Sequence, residues 1–409
     1  MKHVSASRSH DIASVASASP TMQRGQQTLT AEIVDAARLT ELNEVWTGLL
    51  ARADTPNVFM DPALVAVADA ADPSTRHFAL LAWTHIHGRR QLAGIWTFAV
   101  TRPRKSPLLM HLLCAPVFTH GYLATPVIDR QYLDETLDAM LDLIAEDESL
   151  PKILALDSMG TDGATYDALM RVLEHRDSAP CVFEQSKRPK LVSELDGQGY
   201  LEKAVSSSTR KKLRQHRRRL SEKGTLTSVA ATEAAEVRQA FEEFLTMEAA
   251  GWKGKHGTAL LSNPAEAAFM RGAIAALADH HSAAIHSLYF DGKPVSMQIV
   301  GRAGGAAFTW KTAYDEQFQD FSPGMLLLED YTAAFLGDKT IAYVDSCSID
   351  DTGFMAAWTD RQAVADLWID ARRGGSLEFR VLSTLQKTYR DLRASAKDAY
   401  LNWRQPRKK

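Results

Sequence analysis

Apolar positions over residues 36–50 recur at helical spacing, with Leu39, Leu42, Val45, Trp46, Leu49 and Leu50 on one face. A short helix is expected over 61–71, opened by Asp61-Pro62, a cap and first-turn pair. Runs 77–86 and 92–100 read as strands joined by a turn at Gly88-Arg89-Arg90. An amphipathic helix follows over 130–146, then an apolar strand over 153–156 that ends in Asp157-Ser158.

The second half repeats this order. Helices are expected over 236–250 and 264–279, the latter opened by Asn263-Pro264. Strand 285–290, the turn Asp291-Gly292 and strand 294–301 form a hairpin, and strand 306–313 follows. A helix over 325–336 leads to strand 341–345, which ends in Asp345-Ser346. YFDGKPVSMQIV aligns with HIHGRRQLAGIWTF, and AYVDSC with LALDSM. The pattern therefore predicts two copies of one mixed α/β unit, the first with an insertion near 101–125. SKRPK and DGQG, with Pro189, Gly197 and Gly199, break the periodicity near 185–200 and mark a boundary there. The expected division is a disordered tail 1–28, a first unit 29–185, a second unit 186–400 and a basic tail 401–409. One or two helices are expected after residue 375.

Composition adds mostly exclusions. The chain has 409 residues, 45% hydrophobic, with a formal net charge of −3. That is ample material for a core and not the bulk charge of a nucleic-acid binder. Three distant cysteines, Cys114, Cys181 and Cys347, give neither a disulfide framework nor a metal spacing. No apolar run is long enough to span a membrane and residues 1–28 have no apolar signal core, so a cytoplasmic location is expected. GxSxG, GxxxxGK[ST] and HExxH are absent, no metal site is expected, and Asp350-Asp351 reads as a solvated turn.

Several segments could carry chemistry. Residues 199–224 hold Arg210, Lys211, Lys212, Arg214, Arg217, Arg218, Arg219 and Lys223 around a thin seam of Leu201, Val205, Leu213 and Leu220. This is either a solvated basic helix or a phosphate-binding surface; no aromatics interleave to stack bases. Ser322-Pro323-Gly324 opens a helix, where the N–H groups of Gly324, Met325 and Leu326 would face an anion. In strand 306–313, Trp310, Thr312 and Tyr314 should face one way and Lys311 the other, Lys311 being either solvated or a cation for a substrate carboxylate or phosphate. Asp345 ends an apolar strand, where it could cap a turn or act as a general base. Gly251–Gly257 is a glycine-flanked loop carrying Trp252, Lys253, Lys255 and His256.

The segments YLEKAVSSSTRKKLRQHRRRLSEKG, FLTMEAAGWKGKHGTALL, LYFDGKPVSMQIV, FTWKTAYDEQFQDFSPGMLLLEDYTAAF and YVDSCS, in this order, resemble GNAT-type acyltransferases of the cellulose/exopolysaccharide (CelD-like) branch. That branch is similar to the Fem-type peptidyltransferases. The resemblance covers about residues 195–370 well and the first half in outline. It implies an α/β fold of two tandem GNAT-like units in a Fem-like double arrangement. It also implies an acyl-coenzyme A donor, acetyl-coenzyme A or another, with its pyrophosphate at Ser322, Pro323, Gly324, Met325 and Leu326. Direct transfer to an amine would use Asp345 as base and Tyr314 as acid for the leaving thiolate. Trp252, Lys253 and Lys311 would contact the acceptor, with Arg210 and Arg214 as further substrate-binding residues. The usual phosphate loop, Q/R-x-x-G-x-G/A, is replaced here by Gln319-Asp320-Phe321-Ser322-Pro323-Gly324.

Three functions follow as expectations. The first is an N-acyltransferase acting on an amino sugar or lipid-linked saccharide of exopolysaccharide or envelope synthesis, in contact with that machinery. The second is a Fem-type aminoacyl-tRNA-dependent transferase. The third is a non-catalytic protein that binds a nucleotide or a biosynthetic complex.

Overall fold

The computed structural model describes residues 29–348 and 353–404. The expected tail 1–28, the pair Asp350-Asp351 and residues 405–409 lie outside the described residues.

The first half runs β1 (Thr30–Asp35), α1 (Asn43–Leu50), α2 (Pro62–Ala71), β2 (Arg76–Ile86), β3 (Arg89–Thr101), β4 (Leu112–Ala115), β5 (Val127–Ile128), α3 (Leu133–Glu146) and β6 (Ile153–Gly160). Then come α4 (Ala164–His175), β7 (Cys181–Leu191), α5 (Gly197–Ala204) and α6 (Ser207–Ser221). The second half runs β8 (Leu226–Ala231), α7 (Ala234–Ala250), α8 (Trp252–Lys255), α9 (Pro264–Asp279), β9 (Ala283–Phe290), β10 (Lys293–Ala303), β11 (Ala306–Tyr314), α10 (Pro323–Gly337), β12 (Tyr343–Asp345), β13 (Asp360–Asp370) and α11 (Leu377–Arg404).

The expected repeat is present. Each half has a strand, a helical layer, three antiparallel strands, a helix, and a strand parallel to the last of the three. The parallel pairs are β4 with β6 and β11 with β12. Local signals explain why these elements form. Asp61 accepts the Ala63 N–H at 2.9 Å to start α2, and Asn263 accepts the Ala265 N–H at 3.1 Å to start α9. His87-Gly88 and Asp291-Gly292, all at positive φ, turn the two hairpins. The first turn falls one residue earlier than expected.

All the strands join one sheet, in the order β1-β2-β3-β4-β6-β13-β7-β12-β11-β10-β9-β8, with β5 on β3. The two strands at its centre, β7 and β13, are the ones that hydropathy did not show. SKRPK reads as a polar boundary, yet it lies in β7, because Arg188 finds a buried partner there. β7 follows the first unit in sequence but pairs with β12 of the second, while β13 follows the second and pairs with β6 of the first. The halves are therefore laced by exchanged strands, and one apolar cluster runs through both.

Smaller differences have local causes. The expected helix 36–50 splits into a 3₁₀ turn over Ala36–Leu42 and α1, leaving Val45 exposed. The strand ending at Asp157-Ser158 continues to Gly160 past Ser158 at φ 56°. Residues 199–224 form two helices, because Ser206 accepts the Thr209 N–H at 3.2 Å and starts α6.

Candidate active site

β11 and β12 pair through only three positions, Ala306–Tyr343, Ala307–Val344 and Phe308–Asp345. Beyond them the strands part. Thr309 bridges the gap by donating its hydroxyl to the Ser346 carbonyl at 2.9 Å. A bulge shifts the register of β11 against β10 between Ile299 and Val300 and leaves Trp310 unpaired. This overturns the simple alternation expected for the strand. Trp310 turns into the core and donates Nε1 to the His120 carbonyl at 2.7 Å, while Lys311 lies on the opening. A cavity of about 210 Å³ occupies it, lined among others by Tyr122, Lys253, Gln298, Lys311, Ser346 and Cys347.

Two ammonium groups share one buried carboxylate at this cavity. Glu248 Oε1 accepts from Lys253 Nζ at 3.0 Å and lies 3.7 Å from Lys311 Nζ. Its Oε2 accepts the Leu260 N–H at 2.8 Å. Lys253 also donates to the Thr312 carbonyl at 3.0 Å. Burial pushes the Lys311 ammonium below its ordinary value; Glu248 opposes this and Lys253 reinforces it. Glu266 also acts on Lys311, so the two ammonium groups are set against two carboxylates, and Lys253 and Lys311 are the groups of the cavity wall that could meet an anion on a ligand. Glu248 was missed in sequence, though it follows Phe241, Phe244 and Leu245 on the apolar face of α7. A carboxylate on such a stripe needs a partner.

The turn α8 holds Lys253 in place. A Cβ at Gly254 would lie 1.8 Å from the Ala249 carbonyl oxygen, so only glycine fits. Gly254→Ala is expected to displace the turn and cost about 1–3 kcal/mol. Thermal denaturation checks the stability, and the difference between phosphorylated and plain amine acceptors in turnover checks the Lys253 position. Trp252, expected on the acceptor, is 48% exposed and stacks edge-on with His256 outside the cavity lining. Tyr314, expected as the acid, sits on the exposed end of β11 and does not line the cavity either.

Asp345 is spent on structure. Its carboxylate pairs with the guanidinium of Arg188, and its Oδ1 accepts the Cys347 N–H at 2.9 Å. Both side chains are almost fully buried, and Arg188 also donates to the Tyr122 carbonyl at 2.6 Å. A guanidinium on one oxygen and a backbone N–H on the other, in a site almost closed to solvent, favour the capping alternative over the base.

The α10 start differs in detail from its expected form. Ser322 takes the cap position at φ 53°, but its hydroxyl caps nothing. The Met325 and Leu326 N–H groups both donate to the Ser322 carbonyl, at 3.0 and 3.1 Å. Of the three expected anion donors, the Gly324 N–H remains, and nothing lies within 4 Å of a Cβ built there. In α6, which packs on α10, Arg210 bonds its own turn through the Val205 carbonyl, and Arg214 is exposed. Arg217 clasps α10 through Asp330 at 2.8 Å and the Leu326 carbonyl at 3.1 Å.

Comparison with known proteins bears on what this arrangement could do. Residues 207–352 match the family model described as acetyltransferase (GNAT) domain. Residues 207–352 are thus similar to a GNAT acetyltransferase domain, and the enzyme class is acyltransferase. The crystal structure of FemX superposes with a TM-score of 0.58 at 11% identity, covering 83% of this chain and 98% of that one. The fold over most of the chain is therefore that of FemX. A tandem GNAT protein from the clavulanic acid biosynthesis pathway matches at TM-score 0.42 and 12% identity, over 85% of this chain and 99% of that one. The C-terminal domain of a putative lysylphosphatidylglycerol synthetase from Agrobacterium fabrum matches at 0.49 and 12%, over 86% and 96%. No curated protein matches the sequence.

Proposed function

We propose that the protein is an acyl-coenzyme A-dependent N-acyltransferase whose acceptor carries a phosphate or carboxylate near its amine. An amino-sugar phosphate or a lipid-linked saccharide of exopolysaccharide or envelope synthesis has this chemistry. The observation that carries the reading is the pair Lys253 and Lys311 over one carboxylate, at the point where β11 and β12 part. The lysines would hold the acceptor's anion and so aim its amine. The amine attacks the thioester carbonyl, the C–N bond forms, the C–S bond breaks, and the thiol leaves. No covalent enzyme intermediate is required. Fixing the two reactants together can supply about 7–11 kcal/mol of the barrier. The Gly324 N–H and the positive end of α10 would meet the donor's pyrophosphate.

Calorimetry with acetyl-coenzyme A tests the donor. Wild type is expected to bind at micromolar concentration and Gly324→Glu to lose binding, through charge repulsion at the helix start. The open space around Gly324 predicts that the variant keeps its fold. Absence of binding by the wild type would rule out this donor. The internal bonding of the Met325 and Leu326 N–H groups favours a second reading, an aminoacyl-tRNA donor, for which α6 is the candidate contact. Copurified RNA released steeply with salt would support it.

A further inference from the structure

The segment between β4 and β5 belongs to the first half of the chain, yet it reaches the site of the second. Phe118 packs against Phe269 of α9 and Trp310 of β11, and Tyr122 lines the cavity. Between them the backbone is clamped, since Trp310 holds the His120 carbonyl and Arg188 holds that of Tyr122. The imidazole of His120 is largely buried, with Nε2 3.2 Å from Glu266 Oε2 in the first turn of α9. Glu266 is itself placed by Asn263, whose amide donates to Oε1 at 3.2 Å. Nδ1 makes no hydrogen bond to protein among the described residues; the ring does not line the cavity itself but lies within electrostatic reach of Lys311, which does. A histidine that gives its Nε2–H to a carboxylate presents Nδ1 as a bare acceptor, and Asn263–Glu266–His120 is an orienting chain of that kind.

We propose that His120, oriented by Glu266 and Asn263, is the general base that takes the proton from the attacking acceptor, so that the first unit supplies a catalytic residue to the site of the second. The inference rests on the acyl-transfer reading above. As the amine nitrogen bonds to the thioester carbon, its proton passes to Nδ1; the C–S bond breaks, and the thiolate takes a proton from the imidazolium or from solvent. Three charged groups surround the ring: Glu266 from α9, Lys311 from β11 and Arg104 from the segment after β3. Burial, then Lys311, holds the imidazolium below its ordinary value of 6.5, and Glu266 opposes this. The ring is thus neutral and ready to accept a proton at pH 7.

The test uses full-length wild type, His120→Ala and Glu266→Gln, with acetyl-coenzyme A as donor. Thiol release is measured with water alone and with glucosamine 6-phosphate as acceptor. His120→Ala is expected to bind acetyl-coenzyme A as wild type does, to lose about 100-fold or more in turnover, and to regain part of it with added imidazole. The acid limb of wild-type kcat/KM should lie below pH 6.5. Glu266→Gln should move it to lower pH, because the carboxylate that favours the imidazolium is gone. Undiminished turnover in His120→Ala, or a loss that imidazole does not repair, overturns the base while leaving the donor reading intact. A wild type that binds acetyl-coenzyme A without turnover above the buffer rate also overturns the base. Absence of acetyl-coenzyme A binding overturns the acyl-coenzyme A reading and the base with it.

Discussion

Arg188→Ala is expected to lower the free energy of unfolding by about 3–5 kcal/mol, because it strands the Asp345 carboxylate in a buried site. Asp345 is 1% exposed, and Arg188 is its ion-pair partner. The same guanidinium holds the Tyr122 carbonyl, so the segment carrying His120 should loosen too. Urea titration of the variant beside Arg188→Met/Asp345→Leu makes the measurement. The double variant removes both charges and should recover a substantial part of the loss. A single variant within about 1 kcal/mol of wild type would contradict a structural role for the pair and reopen Asp345 as a base.

Lys311→Met is expected to reduce kcat/KM for a phosphorylated amine acceptor by about 100-fold or more, with a smaller effect on the same amine without phosphate. The side chain is mostly buried at the cavity, and the substitution removes one of two cations facing it. Lys253 still neutralises Glu248 at 3.0 Å, so stability should change little. Steady-state kinetics on both acceptors, with a melting curve as control, separates the roles. Equal losses on the two acceptors would rule out anion recognition by Lys311.

Much of this protein was set locally and could be read from the chain. The caps at Asp61 and Asn263, the hairpin turns and the recurrent helix–strand order needed only short-range hydrogen bonds and apolar periodicity. Lys311 stood out as a cation inside an apolar strand, and Lys253 as part of a glycine-flanked loop. The strands β7 and β13 were not legible. Their polar residues are satisfied by partners far along the chain, such as Arg188 by Asp345 at a separation of 157 residues. Sequence placed Asp345 correctly at a strand end but had no means of seeing that partner, and so left a capping role and a base both open. The site was decided by tertiary structure in the same way. Glu248, Lys253 and Lys311 meet because a bulge and a splayed parallel pair bring α7, α8 and β11 together, and the segment carrying His120 is tied to β11 from the other half of the chain through its backbone. Local energetics specifies elements; which side chains share a low-dielectric space depends on how those elements pack.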